Sequence, residues 1–322
     1  MWLNPWRLLV VSTFAASSVL ACSATNDTRG STQGAGNSNS GAGGDGGIGF
    51  GGSGNHDAGT AVECPNVDVL FVIDNSGSMA DQQQSLIASF GGFVKGMQDR
   101  LAGAKSYHVG IVSTDDYGGN NGCGTIGDLI TQTSGPNSSN AVCTPFAGGG
   151  RYLTEAEPNL AAKFSCTAQI GVGGNDDERP ARALMNALDP TRNAPGACNA
   201  GFSRKDSLLV LVVITDEDDV PDGCDGTICM TYGSGGTPDD WSATVVQHKG
   251  GIAQNIVVLS LIGRKLDNPC GAVPASKMLG FTNNFGENGF IGDVCATNYD
   301  QFFLDALPII DKACENYIPP PK

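Results

Sequence analysis

Three oxygen-bearing side chains stand at alternate positions in one short stretch of the chain, Asp74, Ser76 and Ser78. One carboxylate and two hydroxyls form a hard-oxygen donor set that suits Mg²⁺, Mn²⁺ or Ca²⁺. In an irregular turn, side chains two positions apart can converge on one point. A Ser- and Gly-rich turn with an aspartate cap uses the same residue types, so the spacing alone leaves a purely structural alternative open.

The segments on either side of this stretch predict where it lies in a fold. Residues 67–73 are branched and aromatic apolar residues interrupted only by Asp68, a pattern typical of a strand buried on both faces. After the turn, apolar residues recur at helical spacing between Leu86 and Met97. The oxygen side chains are therefore expected at the carboxyl end of a buried strand, where open parallel sheets bind their ligands.

Strands and helices are predicted to alternate along the rest of the chain. Buried strands are predicted over residues 107–113, 207–214 and 255–262, and helices over 179–188, 241–249 and 299–317, the last kinked at Pro308. This alternation predicts an α/β fold with a mostly parallel sheet covered on both faces by helices. Residues 117–151 are rich in Gly, Asn and Ser, and predict a long loop that is either disulfide-pinned and functional or decoration.

The Asp-x-Ser-x-Ser spacing between a buried strand and a helix resembles the metal-ion-dependent adhesion site (MIDAS) of von Willebrand factor type A (vWA) domains. The resemblance implies a Rossmann-like three-layer fold over about residues 68–317 in which Asp74, Ser76 and Ser78 bind a divalent cation. Asp216 follows the most hydrophobic strand and matches the other metal aspartate of the family. The family also supplies a threonine from a further loop, but here the matching position falls on or near Glu178.

The substitution of Glu178 for a threonine has two interpretations. A carboxylate in place of a hydroxyl adds negative charge to the site and favours Ca²⁺. Alternatively, Glu178 and its neighbours Asp176 and Asp177 only stabilise the N-terminus of the following helix. Mg²⁺ is the expected ion, with Mn²⁺ or Ca²⁺ as alternatives. The acidic run at residues 216–219 also suggests a second ion, although the closing glutamate of an EF-hand loop is missing.

The resemblance implies a binding protein and not an enzyme. In the family, the metal keeps one position open, and a carboxylate of a partner protein completes its coordination. One alternative is a structural envelope protein whose metal only stabilises the fold. Another is a metal-dependent hydrolase that uses Asp74, Asp216 and Glu217. The chain has no Gly-x-Ser-x-Gly frame around Ser76 or Ser78, and its histidines are His56, His108 and His248.

The N-terminal segment predicts export. Residues 1–21 carry one charge, Arg7, and an apolar region too short for a membrane span, as in a signal peptide. The ending Val-Leu-Ala-Cys resembles the bacterial lipobox and implies lipid attachment to Cys22, although an ordinary signal peptide with a chance cysteine is the alternative. Ser23, which follows, resembles the sorting pattern of outer-membrane lipoproteins. The expected location is therefore the cell envelope, at the outer membrane.

The remaining segments define the expected domain boundaries. Residues 22–62 have almost no large apolar side chain and predict a disordered tether. Residues 63–318 form the expected vWA domain, and residues 319–322 a Pro-rich tail. The formal net charge of −15 argues against nucleic acid and against docking on anionic lipid. The lipid on Cys22 is thus the only expected membrane contact, and a monomer is expected.

The 11 cysteines predict a disulfide framework, because Cys22 leaves an even number in an exported chain. Cys224 and Cys229 are spaced closely enough to suggest zinc, but histidines are scarce and no second cysteine pair lies near these two, which argues against a zinc site. Sequence alone does not fix the connectivity. Proximity suggests Cys64–Cys314, Cys123–Cys143, Cys166–Cys198, Cys224–Cys229 and Cys270–Cys295.

Overall fold

A computed structural model describes residues 64–100, 104, 106–220, 223–225, 228–230 and 232–321. The expected signal peptide, the lipidation site Cys22 and the expected tether lie outside the described residues. Within the described part of the chain, no helix combines the length and the apolar character needed to cross a bilayer.

A six-stranded sheet forms the centre of the domain. Its strands, in spatial order, are β3 (Leu153–Thr154), β2 (Ser106–Ser113), β1 (Asn66–Ile73), β4 (Leu208–Thr215), β7 (Ile256–Ile262) and β8 (Gly289–Asp293). Only β3 runs antiparallel to its neighbour. The chain moves outward from β1 to β3 and then returns to the other side of β1 for β4. The crevice between the carboxyl ends of β1 and β4 is therefore the topological switch point where ligands bind in such sheets.

Helices cover both faces of this sheet, as predicted. They are α1 (Ala80–Arg100), α2 (Leu160–Ala168), α3 (Pro180–Leu188), α4 (Pro238–His248), α5 (Ser276–Asn283) and α6 (Asp300–Glu315). Alternate residues of β1 belong to two separate core clusters. Phe71 and Ile73 pack with α1, α2 and α6, whereas Leu70 and Val72 pack with α3, α4 and α5. Because both faces of β1 are covered, the strand is apolar throughout, and the predicted three-layer α/β fold is confirmed.

Several short elements were not predicted from the sequence. They are β3, β8, α2, α5, and a hairpin of β5 (Gly223–Asp225) and β6 (Ile228–Met230) outside the main sheet. β8 is a half-buried edge strand whose residues lack the apolar run of the central strands. β3 has only two residues, too few to show a period. The last predicted helix forms as α6 and continues through Pro308.

Two of the expected disulfides are present and two are wrong. The structure pairs Cys64 with Cys314 and Cys270 with Cys295, as expected. The expected pairs Cys123–Cys143 and Cys166–Cys198 are wrong, because the structure pairs Cys123 with Cys198 and Cys143 with Cys166. The loop at residues 117–151 is therefore fastened at two points to later parts of the chain, and neighbours in sequence are not its partners.

The fifth expected pair lies in the β5–β6 hairpin. The backbones of Cys224 and Cys229 face each other across this hairpin. Their side chains lie outside the described part of the structure, so the expected bond stays a prediction.

The disulfide between Cys64 and Cys314 joins the start of β1 to the last turn of α6, across a sequence separation of 250 residues. Replacing both cysteines by serine is expected to lower the free energy of unfolding by about 5 kcal/mol, because a long loop in the unfolded chain is released. The matched double variant of Cys270 and Cys295, with a separation of 25 residues, should lose about 3 kcal/mol. Urea unfolding measures both, and equal losses would contradict the chain-entropy explanation.

Candidate metal site

Asp74 follows β1 directly and is fully buried at the switch point. Its Oδ1 accepts a hydrogen bond from the Ser76 backbone N–H at 2.7 Å, and its Oδ2 accepts one from the Thr215 hydroxyl at 2.8 Å. Each bond uses one lone pair of its oxygen and leaves acceptor capacity for an ion. Burial raises the pKa of Asp74 to about 6, and the Asp216 carboxylate adds to this rise while the hydrogen bonds oppose it.

The two serines of the spacing motif face each other. The Oγ atoms of Ser76 and Ser78 lie 3.1 Å apart. Ser76 is buried, while Ser78 and the intervening Gly77 are exposed. The irregular turn therefore brings the two hydroxyls together, with one side of the pair open to solvent.

Asp216 lies just past the end of β4, which pairs in parallel register with β1. It is buried, and its Oδ1 has no hydrogen-bond partner among the described residues. Burial raises the pKa of Asp216, while the nearby side chain of Ser78 opposes this shift. The Asp216 carbonyl accepts a hydrogen bond from Val273 N–H at 2.7 Å, which fixes the backbone at this position.

Glu178 precedes α3 and is fully buried. Neither of its carboxylate oxygens has a hydrogen-bond partner within the described structure. Burial and, to a smaller extent, the neighbouring Asp74 carboxylate together raise the pKa of Glu178 to about 10. The Glu178 carbonyl accepts a hydrogen bond from Val220 N–H at 3.0 Å, so the residue is held against the loop that follows β4.

Thr114 belongs to the same cluster and was missed by the sequence analysis. It follows β2, is fully buried, and is close enough to Glu178 to affect its pKa, yet its hydroxyl has no hydrogen-bond partner in the described structure. The available signal was its position, since it is a polar residue at the carboxyl end of a strand adjacent to β1. Buried polar atoms without partners are rare in native proteins and point to an ion or water that satisfies them.

Gln83 of α1 holds two loops of the site together. Its buried side chain donates to the Asp74 carbonyl at 3.0 Å and to the Gly171 carbonyl at 2.9 Å, and accepts from the Gly171 N–H at 3.0 Å. The Asn75 carbonyl in turn accepts from the Gly174 N–H at 2.8 Å. The turn after β1 and the loop before α3 are therefore positioned relative to each other by buried hydrogen bonds.

The acidic run after β4 divides between the site and two helices. Asp218 accepts hydrogen bonds from the backbone N–H groups of Lys277 at 2.9 Å and Met278 at 3.2 Å, at the start of α5. Asp219 accepts from Ala181 N–H at 3.2 Å, at the start of α3. These two carboxylates stabilise helix N-termini, which argues against a second ion there. Asp219, and not Glu178, therefore supplies the charge at the N-terminus of α3.

Carboxylates and hydroxyls at this edge fit a hard divalent cation. Among the described residues, no group of three or more His, Cys, Asp or Glu side chains is arranged to hold a metal by itself. An ion here would therefore combine carboxylates with the serine hydroxyls and water, as Mg²⁺ commonly does. Nitrogen and sulfur ligands, which suit softer metals, are not part of this cluster.

The described histidines lie elsewhere. His108 Nδ1 lies 2.8 Å from the Phe202 carbonyl oxygen, and His248 Nε2 lies 2.7 Å from Ser203 Oγ. Phe202 and Ser203 lie ahead of β4, and His248 is the last residue of α4. Neither histidine is therefore positioned to act as a base at the cluster around Asp74.

Comparisons with solved structures find distant similarities. No family model matches the chain, and no curated protein matches its sequence. Proximal thread matrix protein 1 of the mussel byssus has 10% identity and a TM-score of 0.38, covering 77% of this chain and 49% of that one. A second structure of that protein, with a zinc-occupied MIDAS motif, has 11% identity and a TM-score of 0.37, covering 79% and 47%.

The pilus adhesin SpaC of Lactobacillus rhamnosus GG has 12% identity and a TM-score of 0.38, covering 77% of this chain and 30% of the adhesin. The chain spans about half or less of the length of these proteins. Similarity at this level carries no argument about function. The fold assignment rests on the strand order and the two helix layers described above.

Replacing Glu178 by glutamine is expected to stabilise the metal-free domain in a pH-dependent way. The folded pKa of about 10 lies above the ordinary value of 4.5, so folding takes up a proton between these values and the wild type loses stability as the pH rises. Glutamine removes this cost, which we expect to amount to about 2–3 kcal/mol near neutral pH and to vanish near pH 4. Urea unfolding in a chelator at about pH 5 and about pH 8 measures it. A pH-independent difference would contradict the assignment of Glu178 as a buried, uncompensated acid.

Proposed function

We propose that this domain is a vWA-type adhesion module that binds a divalent cation at the carboxyl edge of its sheet and, through the cation, a carboxylate of a partner protein. The observation that carries the proposal is the group of buried oxygens without partners. These are both carboxylate oxygens of Glu178, Oδ1 of Asp216 and the Thr114 hydroxyl. They lie beside Asp74, at the end of the sheet where ligands of this fold class bind.

In this proposal, Asp74 and Asp216 bind the ion directly or through water, and the hydroxyls of Ser76 and Ser78 coordinate it. Glu178 takes the place of the threonine of the family. The bound cation supplies positive charge that allows the buried carboxyl groups to ionise and leaves a position for an external ligand. Mg²⁺ is the expected ion, and the third carboxylate favours Ca²⁺ more than a threonine does.

The exposure of the site supports an external ligand. Gly77 and Ser78 are open to solvent, so a ligand can approach the ion from that side. Glu217 is partly exposed at the same edge, and its pKa is raised by burial and by the carboxylates of Asp216, Asp74 and Asp176. Such an edge repels anions when it has no cation. Binding of a partner carboxylate should therefore depend on the metal.

A second candidate function is a structural domain whose metal only stabilises the fold. The observation that favours it is again Glu178, because a buried unpaired acid is costly unless a cation compensates it. The two functions differ in one result. If the domain is an adhesion module, chelating the metal releases the partner while the fold persists. If the metal is only structural, chelating it changes only the stability of the fold. The hydrolase alternative is not favoured, because no described histidine lies near the cluster.

We also propose that the chain is exported and attached to the cell envelope through a lipid on Cys22, as an outer-membrane lipoprotein. The four disulfides of the described structure support export, because such bonds persist in oxidising compartments. Labelling with a radioactive fatty acid, compared between the wild type and Cys22→Ser, tests the anchor.

Titration calorimetry of the purified full chain with Mg²⁺, Mn²⁺ and Ca²⁺ tests the site. Saturable binding is expected, and Asp216→Asn should weaken it at least about tenfold because a charged oxygen ligand is lost. Asp218→Asn is the matched control, since it removes the same charge two residues away but from a carboxylate that caps α5. Equal effects of the two variants would show that only the general negative field attracts the ion.

The wild-type result also decides the proposal as a whole. Binding that is lost in Asp74→Ala, with similar thermal unfolding of the metal-free proteins, would support the site. No binding by the wild type would overturn the metal-dependent function.

Metal binding is expected to release protons at neutral pH. The pKa of Glu178, at about 10, keeps this group protonated in the metal-free protein, whereas a ligand carboxylate must be ionised. About one proton should leave per ion, and affinity should rise up to about tenfold per pH unit near neutral pH. Calorimetry in two buffers with different enthalpies of ionisation measures the release. Glu178→Gln should abolish it, and release that persists in this variant would remove Glu178 from the ligand set.

A further inference from the structure

The loop at residues 263–275, between β7 and α5, exposes large aliphatic side chains at the carboxyl end of the strands, where the candidate metal site also lies. Its Leu266 is 83% exposed, and its Val273 is 46% exposed. Arg264 and Lys265 are also exposed, and neither forms an ion pair within the described part of the chain. Asp267, which follows, is exposed as well, so residues 264–267 place an aliphatic side chain in solvent beside two basic groups and one acid.

This loop is held in one conformation. The side chain of Asn268 donates to the carbonyls of Lys265 at 2.6 Å and Ala272 at 2.7 Å, and it accepts from the N–H of Ala272 at 3.0 Å. The ends of the loop are joined by a hydrogen bond from Ala275 N–H to the Gly263 carbonyl at 3.0 Å. The disulfide of Cys270 fastens the loop to the segment after β8. Leu266 is therefore displayed by a braced loop, so that little ordering entropy is lost when it is buried by a partner.

The loop is continuous with the candidate metal site. Val273 N–H donates to the Asp216 carbonyl at 2.7 Å, so this contact joins the loop directly to a proposed metal ligand. A Cβ atom at Gly263 would lie 2.0 Å from the Val273 carbonyl oxygen, so only glycine allows this close approach. The backbone of the loop at Val273 therefore lies directly beside the proposed metal ligand Asp216.

We infer that residues 264–266 and Val273 form a second contact area for the partner, which is a protein segment that carries an aliphatic side chain and further acidic residues beside the metal-binding carboxylate. This inference rests on the proposed function. The aliphatic side chain packs on Leu266 and Val273, and the additional acids pair with Arg264 and Lys265. The neighbouring Glu217 repels acids. The acidic segment therefore extends from the ion towards this loop and away from Glu217.

A membrane surface is the competing occupant, since exposed leucine with basic neighbours also suits anionic lipid. The formal net charge of −15 and the acidic residues at the same edge oppose approach to such a surface. A protein segment needs to meet only this edge, and its carboxylate gains the metal contact. The observations therefore favour the protein segment.

The test uses random peptides displayed on phage and selected on the purified full chain in Mg²⁺, with elution by EDTA. Peptides with an acidic residue near an aliphatic one are expected. Leu266→Ala should weaken their binding about tenfold, because a side chain buried in the contact is truncated. The matched control is Ile318→Ala, which removes an aliphatic side chain that is 44% exposed near Asn255, ahead of β7 at the opposite edge. This control should leave binding unchanged.

The outcomes separate this inference from the proposed function. EDTA-sensitive peptides that bind Leu266→Ala as tightly as the wild type would overturn the inference and leave the metal-dependent function standing. A chain that binds the metal but selects no EDTA-sensitive peptide would overturn both. Binding to vesicles that contain phosphatidylglycerol, lost in Leu266→Ala, would show that the partner is a membrane and not a protein segment.

The double variant of Arg264→Gln and Lys265→Gln tests the charge pairing. It is expected to bind the peptides more weakly and with a smaller dependence on salt, and an unchanged salt dependence would overturn the charge pairing.

Discussion

Three carboxyl groups are buried within electrostatic reach of one another at the switch point of the sheet. Asp74, Asp216 and Glu178 each have a pKa raised by burial, and Asp74 interacts with both of the others. They cannot all ionise in this surrounding without a compensating cation, because isolated buried charges are expensive. Much of the local structure keeps these groups where they are. The parallel register of β1 with β4 aligns two of them, and the buried Gln83 holds the loops that carry the other residues.

At the amino ends of the strands, away from the candidate metal site, a second buried acid is paired within the protein. Asp68, which interrupts the apolar run of β1, is also fully buried. It accepts hydrogen bonds from the backbone N–H of Arg204 at 2.7 Å, from its Nε at 2.8 Å and from the Ser207 hydroxyl at 2.6 Å. Both oxygens of Asp68 are therefore paired within the protein. Glu178 has the same burial, but neither of its oxygens has a hydrogen-bond partner among the described residues, and the proposed metal site rests on this contrast.

The strands were predictable because both faces of β1 and β4 are covered, which leaves an unmistakable apolar run. The position of Asp74 followed from the end of such a run. The roles of Asp218 and Asp219 were not predictable, since the helices that they cap come from distant parts of the chain, and the same applies to the partners of Cys123 and Cys143. Thr114 carried only a positional signal. Local pattern thus located the edge of the sheet, while contacts between remote segments decided which side chains meet there.

The bond between Cys64 and Cys314 has a mechanical consequence. Cys64 lies two residues before β1, and Asp74 immediately follows this strand, so a force applied between Asp74 and the start of the domain would act along this central strand. Hydrogen bonds to β2 and β4 flank β1 on both sides over its length. Such a force loads the hydrogen bonds on both sides of β1 at the same time and does not break them one after another. The disulfide transmits part of the force to α6. The strand pairing of β1 and the disulfide would therefore resist such a force together.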